Sequence, residues 1–171
     1  RFLAQRGHEV HFISSSMPFR LVHQTPDNVF FHEVQSLDYP VLHGDLYGIT
    51  LASKIVQVVE DFGLDIVHAH YAVPHAISAF LARSALSRAE DAGFGVVTTL
   101  HGTDITLTGR APSFFPICQY AINRSDYVTT VSEWLRRETI DTFDIKRPIE
   151  VIPNFVDITE FRRGLTPCKR S

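Results

Sequence analysis

Val97-Thr98-Thr99-Leu100-His101-Gly102-Thr103-Asp104-Ile105-Thr106 decides the fold. With Val96 ahead of it, the β-branched run up to Leu100 has the composition of a strand buried in a parallel sheet. The run stops at His101-Gly102, where glycine lets the backbone turn sharply. His101, Thr103 and Asp104 then crowd polar groups just past the strand's carboxyl end. Ligands of open α/β sheets bind at that edge. A second strand, Asp65-Ile66-Val67-His68-Ala69-His70, ends the same way, in His70-Tyr71. Imidazoles, a phenol and hydroxyls at two strand ends predict a cleft for a polar small molecule.

Outward from these two strands, strand and helix signals alternate. Strands are expected over 9–14, 29–34, 65–69, 95–100, 126–131 and 149–152. Leu51, Ile55, Val58, Val59 and Phe62 fall at helical spacing and predict an amphipathic helix ending near Gly63. Pro74 is expected to open a long helix as a first-turn proline, with Ile77, Phe80, Leu81 and Leu86 as its stripe. The stretch 105–112 reads as a loop. Ser113 is placed to cap a helix to about Arg124. Ser132 is placed to cap another, to about Phe143, with Glu133 in its first turn. This alternation is the signature of βαβ units: an α/β protein with a Rossmann-like parallel sheet and helices on both faces. Arg1 to Gly7 reads as the last turns of a helix stopped by glycine. The stretch 164–171 reads as a frayed tail. The sequence is therefore expected to be part of a longer protein.

The 171 residues suffice for one domain with a real core. The hydrophobic content of 44% and charged content of 20% are those of an ordinary globular protein. A formal charge of −3 argues against nucleic acid, which needs a basic face. No apolar run is long enough to span a membrane, and no signal peptide is recognised. Cys118 and Cys168 form no CxxC, so a reduced, cytoplasmic protein is expected. Homo-oligomerisation stays open.

Nine histidines raise the question of a metal. His68, His70, His75, His101 and Asp104 are the candidate ligands, yet they lack the spacing of a known site, and no HExxH or CxxC accompanies them. No metal is expected. The alternative for His68 is that it packs under the sheet with a backbone partner. A serine hydrolase would need a GxSxG elbow, which is absent. Thr99, by period two, shares a face with His101. It either contacts a ligand or is a plain strand residue, and Tyr71 either points into the cleft or roofs a helix.

Five stretches now carry a resemblance: Gly7 to Ile13 (GHEVHFI), Ser15 to Arg20 (SSMPFR), Thr50 to Ile55 (TLASKI), Leu64 to Ala76 (LDIVHAHYAVPHA) and Thr98 to Thr106 (TTLHGTDIT). They resemble the amino-terminal half of the family 4 retaining glycosyltransferases, over about residues 1 to 163. SSMPFR and HAHYAVPHA favour the malate-using branch, which serves bacillithiol biosynthesis. Pro153-Asn154-Phe155-Val156-Asp157 is similar to the family's PNGVD-type hinge, with Phe155 where many relatives have Gly.

The resemblance implies a GT-B fold, two Rossmann-like domains facing across a cleft. Residues 1–157 would be the amino-terminal acceptor domain without its first strand and glycine-rich loop. Residues 158–171 would be the hinge and a frayed tail, and the carboxy-terminal donor domain lies outside the sequence. The partners implied are a UDP-sugar donor, UDP-N-acetylglucosamine, and a small anionic acceptor, malate, with no cofactor. By the same resemblance His101 is the catalytic residue beside the donor sugar. Tyr71 and Thr99 match acceptor contacts. Ser132 and Asn154 match positions near the donor phosphates or the hinge. Gly102 and Asp104 shape the turn. One departure is Gln119, where relatives place an arginine for the acceptor's carboxylates; Arg20, Arg110 or Arg124 would then substitute, or the acceptor differs. The alternatives are another acceptor, inositol phosphate or polysaccharide, and a truncated binding domain without catalysis.

Overall fold

The computed structural model describes residues 2–22, 26–35, 46–86 and 93–158. The elements in chain order are α1 (Phe2–Gln5), β1 (Val10–Ser14), β2 (Val29–Glu33), α2 (Tyr47–Phe62), β3 (Ile66–His70), α3 (Ile77–Leu86), β4 (Gly95–Leu100), α4 (Thr103–Thr106), α5 (Phe115–Arg124), β5 (Tyr127–Thr130), α6 (Glu133–Thr142) and β6 (Ile149–Val151). Every strand pairing among them is parallel. β1 pairs with β2, and a second ladder runs in the order β3-β4-β5-β6. Parallel strands joined by helices make this the Rossmann-like α/β class that the alternation of signals predicts. Beyond Ile158, the expected tail lies outside the described residues.

Period-two alternation decides what β4 buries. Val96, Thr98 and Leu100 are fully buried, together with Ala69 of β3 and Val128 and Thr130 of β5. Phe80 of α3 and Cys118, Ala121 and Ile122 of α5 belong to the same core cluster. The buried Thr98 hydroxyl is satisfied by Ser125 Oγ at 2.8 Å, and Ser125 also donates to the Ala121 carbonyl at 2.9 Å. Burial, with Asp104 nearby, pushes the Cys118 thiol up to about 11. The alternate side chains of β3, Ile66, His68 and His70, point to an open side.

α2 starts earlier than its apolar stripe and ends where expected. Leu51, Ala52, Ile55 and Val58 are its buried side. Gly63 adopts a left-handed conformation (φ 63°) and donates to the Val59 carbonyl at 2.8 Å. Ser132 caps α6 as expected, accepting from the Leu135 N–H at 3.2 Å.

Val73 is extended (φ −127°, ψ 134°), as residues before proline tend to be, so the wide turn over Ala72–Ala76 holds a kink, and the helical backbone that runs into α3 resumes at Pro74, as expected of a first-turn proline. Three local expectations are corrected. Leu81, placed in the stripe, is exposed on α3. Ser113 does not cap α5: the N–H groups of Phe114 and Phe115 both bond to the Ala111 carbonyl at 2.9 Å, which draws Ser113 into a turn. Phe114 takes the position before the helix. The presumed loop 105–112 is largely helical, with α4 followed by a single 3-10 turn at Thr108–Arg110. Ile105, fully buried, anchors it, and the Ile105 and Thr106 N–H groups bond to the Gly102 carbonyl at 2.9 and 2.8 Å.

Gly109 in that turn has no room for a side chain. An added Cβ would overlap the Asp104 carbonyl oxygen and come within 2.8 Å of the Phe143 ring. Gly109→Ala is expected to destabilise the chain by about 1–3 kcal/mol, the usual cost of overpacking. Urea denaturation measures this. A wild-type midpoint would mean that the Asp104–Gly109–Phe143 contact is looser than described.

Candidate functional site

The strand order turns distant sequence positions into neighbours. β3, β4, β5 and β6 lie side by side and parallel, so their carboxyl ends share one sheet edge. Strands are spaced about 4.8 Å apart. Along that edge come His70 and Tyr71 after β3, His101 after β4, Ser132 after β5 and Asn154 beyond β6.

The two inner ends are in contact. His70 Nδ1 lies 2.8 Å from His101 Nε2. The Tyr71 ring is 4.9 Å from the His101 ring, centroid to centroid. His68 stacks on His70 at 4.7 Å with an interplanar angle of 18°. His68 Nε2 is 2.7 Å from Thr99 Oγ1, which is in turn 2.7 Å from Thr129 Oγ1. The expectation of a backbone partner for a buried His68 is therefore corrected. His68 lies on the open side of β3, and its partner is a side chain.

Tyr71 is the only described non-glycine residue with positive φ (φ 81°, ψ 139°). That region costs a side-chain-bearing residue about 1–3 kcal/mol, and such outliers gather at functional sites. The surroundings enforce it: the Tyr71 N–H bonds to the Thr99 carbonyl at 2.9 Å, so β3 is held to β4 right up to the turn.

Asp104 ties both strand ends together. Its carboxylate, 2% exposed, accepts from the N–H groups of Gly102 at 3.0 Å, His101 at 3.3 Å and Ala72 at 3.2 Å. Gly102, at φ 127°, supplies the backbone conformation that lets its own N–H and that of His101 converge on the carboxylate.

The cluster resists charge. Burial, helped by His68, His101 and His75, pushes His70 down to about 4. Burial also lowers His68, with His101 adding to it. It lowers His75 too, although the nearby His70 backbone pulls the other way. An unfolded histidine takes up its proton near 6.5, so the unfolded chain binds more protons as pH falls through the window from about 6.5 to 4. Stability is complete above that window and is lost within it. Thermal melts from pH 7.5 to 4.5 are expected to show a falling melting temperature, with part of the slope removed in His70→Asn. A flat profile would contradict the desolvated cluster.

The remaining candidates sit apart from this contact. Thr99 is 8% exposed with its hydroxyl already shared between His68 and Thr129, so it sits beneath the rim. Ser132 caps α6, and Asn154 is exposed in the segment after β6. Gln119 Oε1 accepts from the Asp144 N–H at 3.1 Å. Arg110 is paired with Glu138. The Arg20 side chain lies outside the described residues. Among the described residues no group of three or more His, Cys, Asp or Glu is arranged to hold a metal. No described helix is long and apolar enough to cross a membrane. Sequence reasoning missed an open polar hollow of about 310 Å³ lined by Glu33, Gln35, Thr50, Ser53, Lys54 and Gln57. Polar residues on the exposed turns of α2, three and four apart, were its only signal.

The chain is 43% identical over 169 residues to N-acetyl-alpha-D-glucosaminyl L-malate synthase of Bacillus anthracis, a match covering 98% of this chain and 43% of that protein. It is 27% identical over 111 residues to an uncharacterized glycosyltransferase of Methanocaldococcus jannaschii, covering 65% of this chain and 29% of the other. The chain thus spans less than half the length of the curated relatives it matches. Among solved structures it is similar to UDP-N-acetylglucosamine 2-epimerase from Rickettsia bellii, at TM-score 0.49 and 15% identity, over 84% of this chain and 44% of that one. The profile of Glycosyltransferase Family 4 matches residues 1–160, nearly all that the structure describes, and the chain belongs to that family.

Proposed function

We propose that this chain is the acceptor-side half of a glycosyltransferase that moves N-acetylglucosamine from UDP-N-acetylglucosamine to L-malate with retention of configuration, in the cytoplasm. The observation that carries the reading is the contact of His70, Tyr71 and His101 at two adjacent strand ends, in a family 4 chain similar to a malate-using synthase. A second Rossmann-like domain would face this edge and supply most of the diphosphate contacts. A strand ahead of Arg1 would lie between β1 and β3, where the two ladders are unjoined. Beyond Asp157 the chain would cross the hinge.

In this reading His101 hydrogen-bonds a hydroxyl of the transferred sugar. Tyr71 contacts the acceptor, Thr99 does so from beneath the rim, and Ser132 and Asn154 lie near the donor phosphates. The acceptor hydroxyl attacks the anomeric carbon on the face from which UDP departs. The carbon–oxygen bond to UDP breaks, the new glycosidic bond forms, and the hydroxyl proton passes to a phosphate oxygen of the leaving UDP. No protein nucleophile or metal is used. The chain contributes orientation and fixed hydrogen bonds.

A second reading changes only the acceptor. Gln119 carries an amide in place of a guanidinium, its oxygen taken by the Asp144 N–H, and the Arg110 guanidinium is paired with Glu138, so neither offers a dianion a free bidentate fork. An inositol phosphate or a polysaccharide is then the alternative. The test is the full-length gene product with UDP-N-acetylglucosamine and malate, its product's anomeric configuration read by NMR. Transfer to malate with retention is expected, undiminished by EDTA, and none from the 171-residue chain alone. Transfer to inositol phosphate instead selects the second reading. Turnover by the chain alone would refute the proposed division between two domains.

A further inference from the structure

His70 is assigned no role by the proposed function, yet it makes the shortest contact to His101. We propose that His70 is a positioning residue for His101: the hydrogen bond between His70 Nδ1 and His101 Nε2 locks the two imidazoles into one shared tautomer, so that His101 presents a single defined nitrogen to the cleft.

The argument is one of proton counting. Two neutral imidazoles carry one ring proton each. At 2.8 Å the nitrogens facing each other must share a single proton. If His70 Nδ1 donates, His101 Nε2 accepts and the His101 proton is on Nδ1. If His101 Nε2 donates, the His70 proton is on Nε2. Both rings are therefore protonated on Nδ1, or both on Nε2; mixed states break the bond. The free nitrogen of His101 is then a donor in one shared state and an acceptor in the other, and the bond ties its choice to that of His70.

The surroundings hold His70 in place for this. Its ring stacks on His68, which is fixed through Thr99 to Thr129 of β5. Tyr71 lies against the His101 ring, at 4.9 Å between centroids. Asp104 fixes the His101 and Ala72 backbones relative to one another. His68, His75, Tyr71 and Asp104 are the titratable groups packed around the pair, and none of them brings a positive charge to it at neutral pH.

The proposal rests on His101 being the group that meets the sugar, but its test needs no substrate. Long-range 1H–15N spectra of the imidazoles in the 171-residue chain, at pH 7.5, report each ring's tautomer. His70 and His101 are expected to show one tautomer each, and the same one. His70→Phe should leave His101 with intermediate 15N shifts that reflect mixing. His70→Asn, whose amide oxygen or nitrogen falls where Nδ1 was, should restore a single tautomer. Amide spectra of β4 and β5 report whether each variant folds. If His70→Phe does not fold, the reciprocal His101→Phe should release His70 into mixed tautomers. Opposite tautomers in the wild type, unchanged His101 shifts in His70→Phe, or an unchanged His70 in His101→Phe would each overturn the proposal. Loss of the proposed activity would not, so the two can fail separately.

Discussion

Asp104→Ala is expected to lower the unfolding free energy of the chain by about 3–5 kcal/mol, the range reached when a buried hydrogen-bond network is broken. Three backbone N–H groups, those of Ala72, His101 and Gly102, lose their acceptor at once. Each buried donor left unsatisfied costs about 1–3 kcal/mol. Nothing nearby replaces the carboxylate, because Asp104 is 2% exposed and water has no ready access. Asp104→Asn keeps an acceptor oxygen and should cost about half as much. Urea denaturation of the chain gives both values. A loss below about 1 kcal/mol for alanine would show that the turn is held by its own backbone bonds and not by this side chain. The same variant should disturb the His70–His101 contact, since Asp104 joins the segments on which the two rings stand.

His101→Ala in the full-length protein is expected to lower turnover at saturating substrates by roughly 30- to 1,000-fold, the ~2–4 kcal/mol that one oriented hydrogen bond contributes at a transition state. Thr99→Val and Tyr71→Phe should act mainly through the acceptor's Michaelis constant. Thr99 carries a second burden, because its hydroxyl also holds His68 and Thr129. Thermal melts separate the two effects. His101 lies on the rim and should leave stability nearly unchanged, while Thr99→Val should cost both. Full turnover in His101→Ala would remove His101 from the reaction. So would a loss of activity that only follows unfolding.

The parallel architecture was legible because it is written locally. Val96, Thr98 and Leu100 bury one side while Thr99 turns its hydroxyl to the other, and Gly63 and Ser132 punctuate their helices where short-range rules expect. Placing Thr99 on the side of the imidazoles followed from period two alone, and the register His70↔Thr99 agrees with it. What escaped was long-range. The wide turn at Ala72–Ala76 depends on Asp104, 32 residues away, accepting the Ala72 N–H. His68 was misjudged because the spacing of a strand does not say which of its sides is covered. Ser113 looked like a cap until the Ala111 carbonyl claimed the next two N–H groups. The polar hollow beside α2 joins residues from β2 and from successive helical turns, which no short motif spells out.

Cys118 gives the fold a timekeeper. Fully buried, with its thiol pushed up to about 11, it offers alkylating reagents almost no thiolate and no path while α5 stays packed. Each modification at Cys118 therefore records one excursion in which the sheet and α5 have parted. The rate of that slow chemistry, followed at increasing reagent concentration, passes from counting how often the open form exists to counting how fast it forms. A side chain with no part in the proposed reaction thus makes the lifetime of the native state something the molecule itself writes down.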